Sequence, residues 1–116
     1  MSQTPANELY YDAFRKRTDF SEVPFAEDVV FRGPTGPIEG ATALRARLAA
    51  LAQGTKDVTM RHQVVGGGQV LSFYDFDLGL PGGPIPMAER LGCDGETIEE
   101  IELLFDPARL AAPKES

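Results

Sequence analysis

The sequence predicts an α+β domain: helices at the N-terminal end, packed on one face of a curved antiparallel sheet. Two observations carry this. Apolar residues recur at helical spacing as far as Leu51, and from Val58 onward the period changes to two. Gly- or Pro-rich turns then divide the second half into long alternating runs. Helices first and a strand meander afterwards is the order of an α+β layer architecture. With 116 residues, residues 1–116 make one domain with one core.

Thr4-Pro5 is the expected start of the first helix, with Pro at its first position. Leu9, Tyr10, Ala13 and Phe14 give it an apolar face, and Tyr11 lies beside them. Arg15, Lys16 and Arg17 close it, where cations complement the helix dipole. Asp19-Phe20-Ser21-Glu22 has the form of a capping box, but Pro24 limits the helix that follows to about one turn. Val29-Val30-Phe31 is the first strand, ended by the turn from Gly33 to Pro37. Ala41, Leu44, Leu48 and Leu51 mark the next helix, which Gly54 terminates. Strands are expected over Val58–Val64, Gln69–Leu80, Ile85–Cys93 and Thr97–Phe105.

A symmetric hairpin about Pro81–Pro84 would set Leu80 opposite Ile85, Leu78 opposite Met87, Phe76 opposite Glu89 and Tyr74 opposite Leu91. One face then collects these apolar residues, and the other carries Asp77 and an Asp75–Arg90 pair. For the last hairpin, a two-residue Asp94-Gly95 turn would place Glu100 opposite Glu89 on the apolar face. A three-residue Asp94-Gly95-Glu96 loop instead sets Glu89 opposite Ile101, Met87 opposite Leu103 and Ile85 opposite Phe105, and is preferred because it closes the core. Glu100 and Glu102 then point outward. Glu89 remains as a carboxylate on the apolar face, where it must be paired, solvated or protonated.

The net charge of −7 opposes nucleic-acid binding, which needs clustered positive charge. Nowhere does the chain approach the roughly 20 apolar residues of a membrane span, and its start lacks the regions of a signal peptide. A single cysteine, Cys93, cannot form an internal disulfide and fits a cytoplasmic setting; it has no basic neighbour to activate it. With one histidine and no carboxylate-rich loop, neither a metal nor a cofactor is expected. Gly66-Gly67-Gly68 joins two strands and opens no helix, so it is not a phosphate loop.

Phe25-Ala26-Glu27-Asp28-Val29-Val30-Phe31-Arg32-Gly33-Pro34, the helix after it, and the ending from Cys93-Asp94-Gly95 to Phe105-Asp106-Pro107 resemble the nuclear transport factor 2-like superfamily in its SnoaL-like and ketosteroid-isomerase-like branches. The resemblance spans nearly the whole chain and implies a cone-shaped, cystatin-like fold with one deep apolar pocket, and a homodimer. It places Tyr11 where ketosteroid isomerases keep an oxyanion-hole tyrosine, Glu89 where they keep a protonated acid, and Gly33 where they keep the aspartate base. Cyclases of the SnoaL type take their base from a late-strand aspartate near the level of Glu89; their neighbouring histidine has no clear counterpart in this chain.

Glu89, Tyr11 and His62 are therefore the candidate catalytic residues, with Phe14, Phe31, Tyr74, Phe76, Met87, Ile101 and Leu103 as the expected ligand-binding lining. Each has a plainer reading. Glu89 could be salt-bridged to Arg61 or lie at a sheet edge, Tyr11 could be core, and His62, on one strand face with Val58, Met60 and Val64, could bond a backbone carbonyl. Three functions stay open: a binder of a small hydrophobic molecule with one polar handle, an isomerase, cyclase, dehydratase or hydrolase using Glu89 for proton transfer, or a non-catalytic module dimerising through Phe73 and Leu71 on the outer sheet face.

Overall fold

The computed structural model describes residues 5–110; Thr4, part of the expected helix start, lies outside them. Helix α1 spans Ala6–Lys16, with Pro5 extended at its N-cap and Arg17 left-handed at its C-cap. Its buried face carries Asn7, Tyr10, Tyr11, Ala13 and Phe14. No helix follows. The Asp19 carboxylate accepts the backbone N–H of Ser21, two residues on, which closes a turn where a capping box would bond one residue later. Phe20, at φ 65°, drops its fully buried ring beside Phe14. Arg45 clamps the segment by donating to the Phe20 and Val23 carbonyls.

Strand β1 (Phe25–Arg32) and the short β2 (Ile38–Glu39) precede helix α2 (Ala41–Gln53), whose Leu44, Leu48 and Ala52 are buried. Strands β3 (Asp57–Gly66), β4 (Gln69–Asp77), β5 (Ile85–Asp94) and β6 (Thr97–Leu104) follow, then a 3-10 turn at Pro107–Arg109. The six strands lie in the order β2-β1-β6-β5-β4-β3. Both helices pack on the concave face of this open sheet, which has the predicted α+β architecture with one difference: β1 runs parallel to β6, so the sheet is mixed. Parallel pairing requires a crossover, which α2 and the meander provide.

Three registers differ from the sequence expectation, and each has a local cause. Between β4 and β5, residues 78–84 form a wide loop, with Gly79, Gly82 and Gly83 at positive φ. Phe76 therefore faces Ile85, Tyr74 faces Met87, and Ser72 faces Glu89. This offset is even, so every residue keeps its expected face. The Asp75–Arg90 pair is lost: Asp75 takes Arg61, and Arg90 is held by Glu100 and Glu102.

Between β5 and β6, Asp94 pairs with Thr97 across a two-residue Gly95-Glu96 turn, and a bulge at Glu99 then advances the register to set Glu89 opposite Leu103 and Leu91 opposite Ile101. The bulge does what the predicted three-residue loop was to do, and Glu100 and Glu102 point outward. The third shift changes faces. A bulge between Met60 and His62 leaves Arg61 extra, so His62 pairs with Phe73 and Gln63 with Ser72. His62 and Val64 turn to the convex face, correcting the expectation that they share a face with Val58 and Met60.

The candidate functional site

Glu89 projects from β5 into the core and is 3% exposed. Tyr10 donates its hydroxyl to Oε2 at 2.8 Å, while Tyr11 and Tyr74 donate to Oε1 at 2.9 and 2.8 Å. These are all three tyrosines of the chain. The two helix tyrosines are consecutive and stand edge-to-face, with centroids 5.0 Å apart, so both tips reach one carboxyl. From β4, Tyr74 approaches edge-to-face with Tyr11 at 5.2 Å.

Burial pushes the Glu89 carboxyl up from 4.5 to about 7, against the opposing pull of the three tyrosine hydroxyls. Burial, reinforced by the Glu89 charge, holds all three phenols well above their ordinary value, so they stay protonated donors at neutral pH. The arrangement can stabilise a carboxylate or share a proton near pH 7. Among the described residues no cluster of His, Cys, Asp or Glu could hold a metal ion, and no helix is long and apolar enough to cross a membrane.

Beside the cluster lies a void of about 30 Å³, walled by Tyr10, Tyr74, Phe14, Phe31, Leu48, Leu51, Phe76, Met87 and Leu103. Six of the expected lining residues thus meet at one place; Ile101 is fully buried in the same core but is not part of this wall. A drug-sized ligand needs some 300 Å³ or more, so the cone is closed in this conformation. Tyr11 is on Glu89 as expected, whereas the bulge removes His62 to the opposite side of the sheet. Arg61 bonds Asp75, not Glu89. At Gly33, where the resemblance expects an isomerase to carry its base, a Cβ would meet the Phe31 ring at 3.0 Å.

Sequence reasoning placed Tyr10 in the core and Tyr74 in the lining, and did not join either to Glu89. The available signal was a count: three tyrosines, all predicted inward, and one inward carboxylate.

On the convex face, Val64, Leu71, Phe73 and Leu104 are each at least half exposed and form one strip with His62 and Ala88. Open grooves of about 530 and 410 Å³ run along it, edged by Arg61, Asp75, Arg90 and Glu102.

A family model described as a SnoaL-like domain matches residues 8–98. No curated protein sequence matches. Among solved structures, a protein from Kribbella flavida is similar at 24% identity and TM-score 0.82, over 91% of this chain and 88% of its own. An NTF2-like protein of unknown function from Cytophaga hutchinsonii gives 18% and 0.78, over 95% and 97%. A steroid delta-isomerase from Pseudomonas aeruginosa gives 20% and 0.73, over 95% and 86%. At these identities the likeness is one of fold, which is NTF2-like and ketosteroid-isomerase-like.

Proposed function

This chain belongs to the SnoaL-like domain family, and on that footing we propose that it binds a compact, mostly apolar molecule whose one polar group docks on the tyrosine–Glu89 cluster. The observation that carries the reading is the cost of the cluster. A carboxyl held up to about 7 by burial destabilises the folded protein at neutral pH, and a glutamate is rarely fully buried unless it is paired, as this one is by three tyrosines. The apolar wall beside Tyr10 and Tyr74 supplies the rest of a site. Because the void is only about 30 Å³, binding requires side chains to move, and the flexible Met87 and half-buried Leu51 are the movable part of the wall.

Binding is favoured over proton transfer. Both Glu89 oxygens are occupied by tyrosine hydroxyls and His62 faces away, and the resemblance puts a glycine, Gly33, where an isomerase would carry its base. A thermal-shift screen of small steroids, terpenoids, polyketide fragments and aromatic acids tests this. A ligand at one hundred times its dissociation constant adds about 2.7 kcal/mol, a rise on the order of 10 °C. That rise should disappear in Glu89→Gln. A hit that persists in Glu89→Gln would move the site elsewhere, and a panel without hits would leave the next reading ahead.

The convex strip supports a second role, a homodimer through the outer sheet face. Its rim alternates Arg61 and Arg90 with Asp75 and Glu102, a mixture of signs suited to self-pairing about a two-fold axis. Light scattering should give twice the mass of one chain, and Phe73→Glu, with unchanged circular dichroism, should give the monomer. A monomeric wild-type protein would rule the dimer out.

A further inference from the structure

Gln63 on β3, Ser72 on β4 and Glu89 on β5 stand directly opposite one another in a single row on the concave face. Ser72 is almost fully buried. The bulge at Arg61 is what brings Gln63, rather than His62, into this row. Asn7 on α1 donates its amide to Gln63 Oε1 at 3.3 Å, and Gln63 Nε2 donates to Ser72 Oγ at 3.2 Å. The Ser72 hydroxyl also acts on Tyr11, opposing the effect of burial on that phenol. Tyr11 in turn donates to Glu89. The Asn7 and Gln63 amides both donate inward, and the outer end of the series reaches a surface groove of about 230 Å³ where Gln63 lies beside Glu8, Asp12 and Arg15.

We propose that Ser72 and Gln63 are positioning residues: they fix the direction of the Tyr11 hydroxyl and, through it, stabilise negative charge on Glu89. The series is not a proton wire, because an amide N–H does not readily hand on its proton. It is a polarised chain, in which each bond strengthens the next by a modest fraction. Tyr10 and Tyr74, which wall the void, have no such support among the described residues and are the pair left to re-aim toward a ligand. That last consequence rests on the binding reading above, whereas the control of Glu89 does not.

The titratable groups acting on Glu89 are Tyr10 and Tyr11 from α1 and Tyr74 from β4, with the Arg15 charge acting on Tyr11. Its neighbour on β6 is Leu103, and α2 presents Leu48 and Leu51 to the void. A change of midpoint is thus traceable to the tyrosines.

The test is a carbon-13 titration of the glutamate carboxyls in the ligand-free full chain, with the Glu89 signal identified by its loss in Glu89→Gln. Ser72→Ala should raise the Glu89 midpoint by about three tenths of a pH unit, and Ser72→Thr should restore it. In a Tyr11→Phe background Ser72→Ala should have no further effect. An unmoved midpoint in folded Ser72→Ala, or an equal shift without the Tyr11 hydroxyl, overturns the proposal. Should Ser72→Ala not fold, Gln63→Met is read in the same way: a smaller upward shift is expected, and none overturns it. Since no ligand is present, these outcomes are separate from success or failure of the thermal-shift screen.

Discussion

Raising the pH from 5 to 8 is expected to lower the melting temperature by on the order of 10 °C, and Glu89→Gln is expected to abolish most of that fall. Glu89 titrates near 4.5 in an unfolded chain and about 7 in the folded one. Between these values the folded state binds the extra proton, so stability decreases as pH rises and levels off above about 7. Each pH unit in the window is worth about 1.4 kcal/mol, making the whole effect roughly 3 kcal/mol, and a domain of this size converts that into about ten degrees. Asp19 and Glu100 are shifted the other way, Asp19 by bonds from Ser21 and Glu100 by the Arg90 guanidinium. Their influence lies below the ordinary carboxylate range, outside this window. Melting curves between pH 5 and 8 decide the matter; equal slopes in wild type and Glu89→Gln would mean that Glu89 is not the group responsible.

Glu89→Leu is expected to be the most damaging single substitution, and removing the three hydroxyls with it should recover most of the loss. Leucine strands the Tyr10, Tyr11 and Tyr74 hydroxyls in a site with little room for water. A buried unsatisfied group costs about 1–3 kcal/mol, so three approach the roughly 5–15 kcal/mol that holds a domain folded. Replacing both sides of a buried polar contact by apolar groups is far cheaper than replacing one. Urea titrations should therefore find Glu89→Leu unfolded at low denaturant, and the quadruple variant with Tyr10→Phe, Tyr11→Phe and Tyr74→Phe near wild type. A quadruple variant no better than Glu89→Leu would contradict this account of the cluster.

The architecture was legible because hydrophobic period survives local irregularity. The β4–β5 loop is wider than its Gly and Pro residues suggested, yet the resulting offset is even, so Tyr74, Phe76, Met87 and Leu91 still face inward. At the last hairpin a bulge at Glu99 replaced the expected longer loop and again left Glu100 and Glu102 outside. Strand β3 was misread beyond Met60, because Arg61-His62-Gln63-Val64 alternates equally well with either parity and nothing local announces the extra residue. The site was legible only in part. Glu89 stood out as a polar exception within one strand, but its partners come from α1 and β4, and spacing along one element cannot report a meeting of three.

The bulge at Arg61 gives this scaffold an unusual lever on its own chemistry. Along a regular strand, changing what faces the interior takes a substitution. Where an extra residue is stored in the strand, moving that bulge along it exchanges neighbours wholesale. In the present state an amide, Gln63, looks inward and the imidazole of His62 looks out. Losing Gln63, with the strand running regularly through Arg61, would set His62 opposite Ser72 in the row with Glu89, placing an imidazole near a buried acid without altering either residue. A single codon deletion thus suffices to change which side chain stands in the row with Glu89.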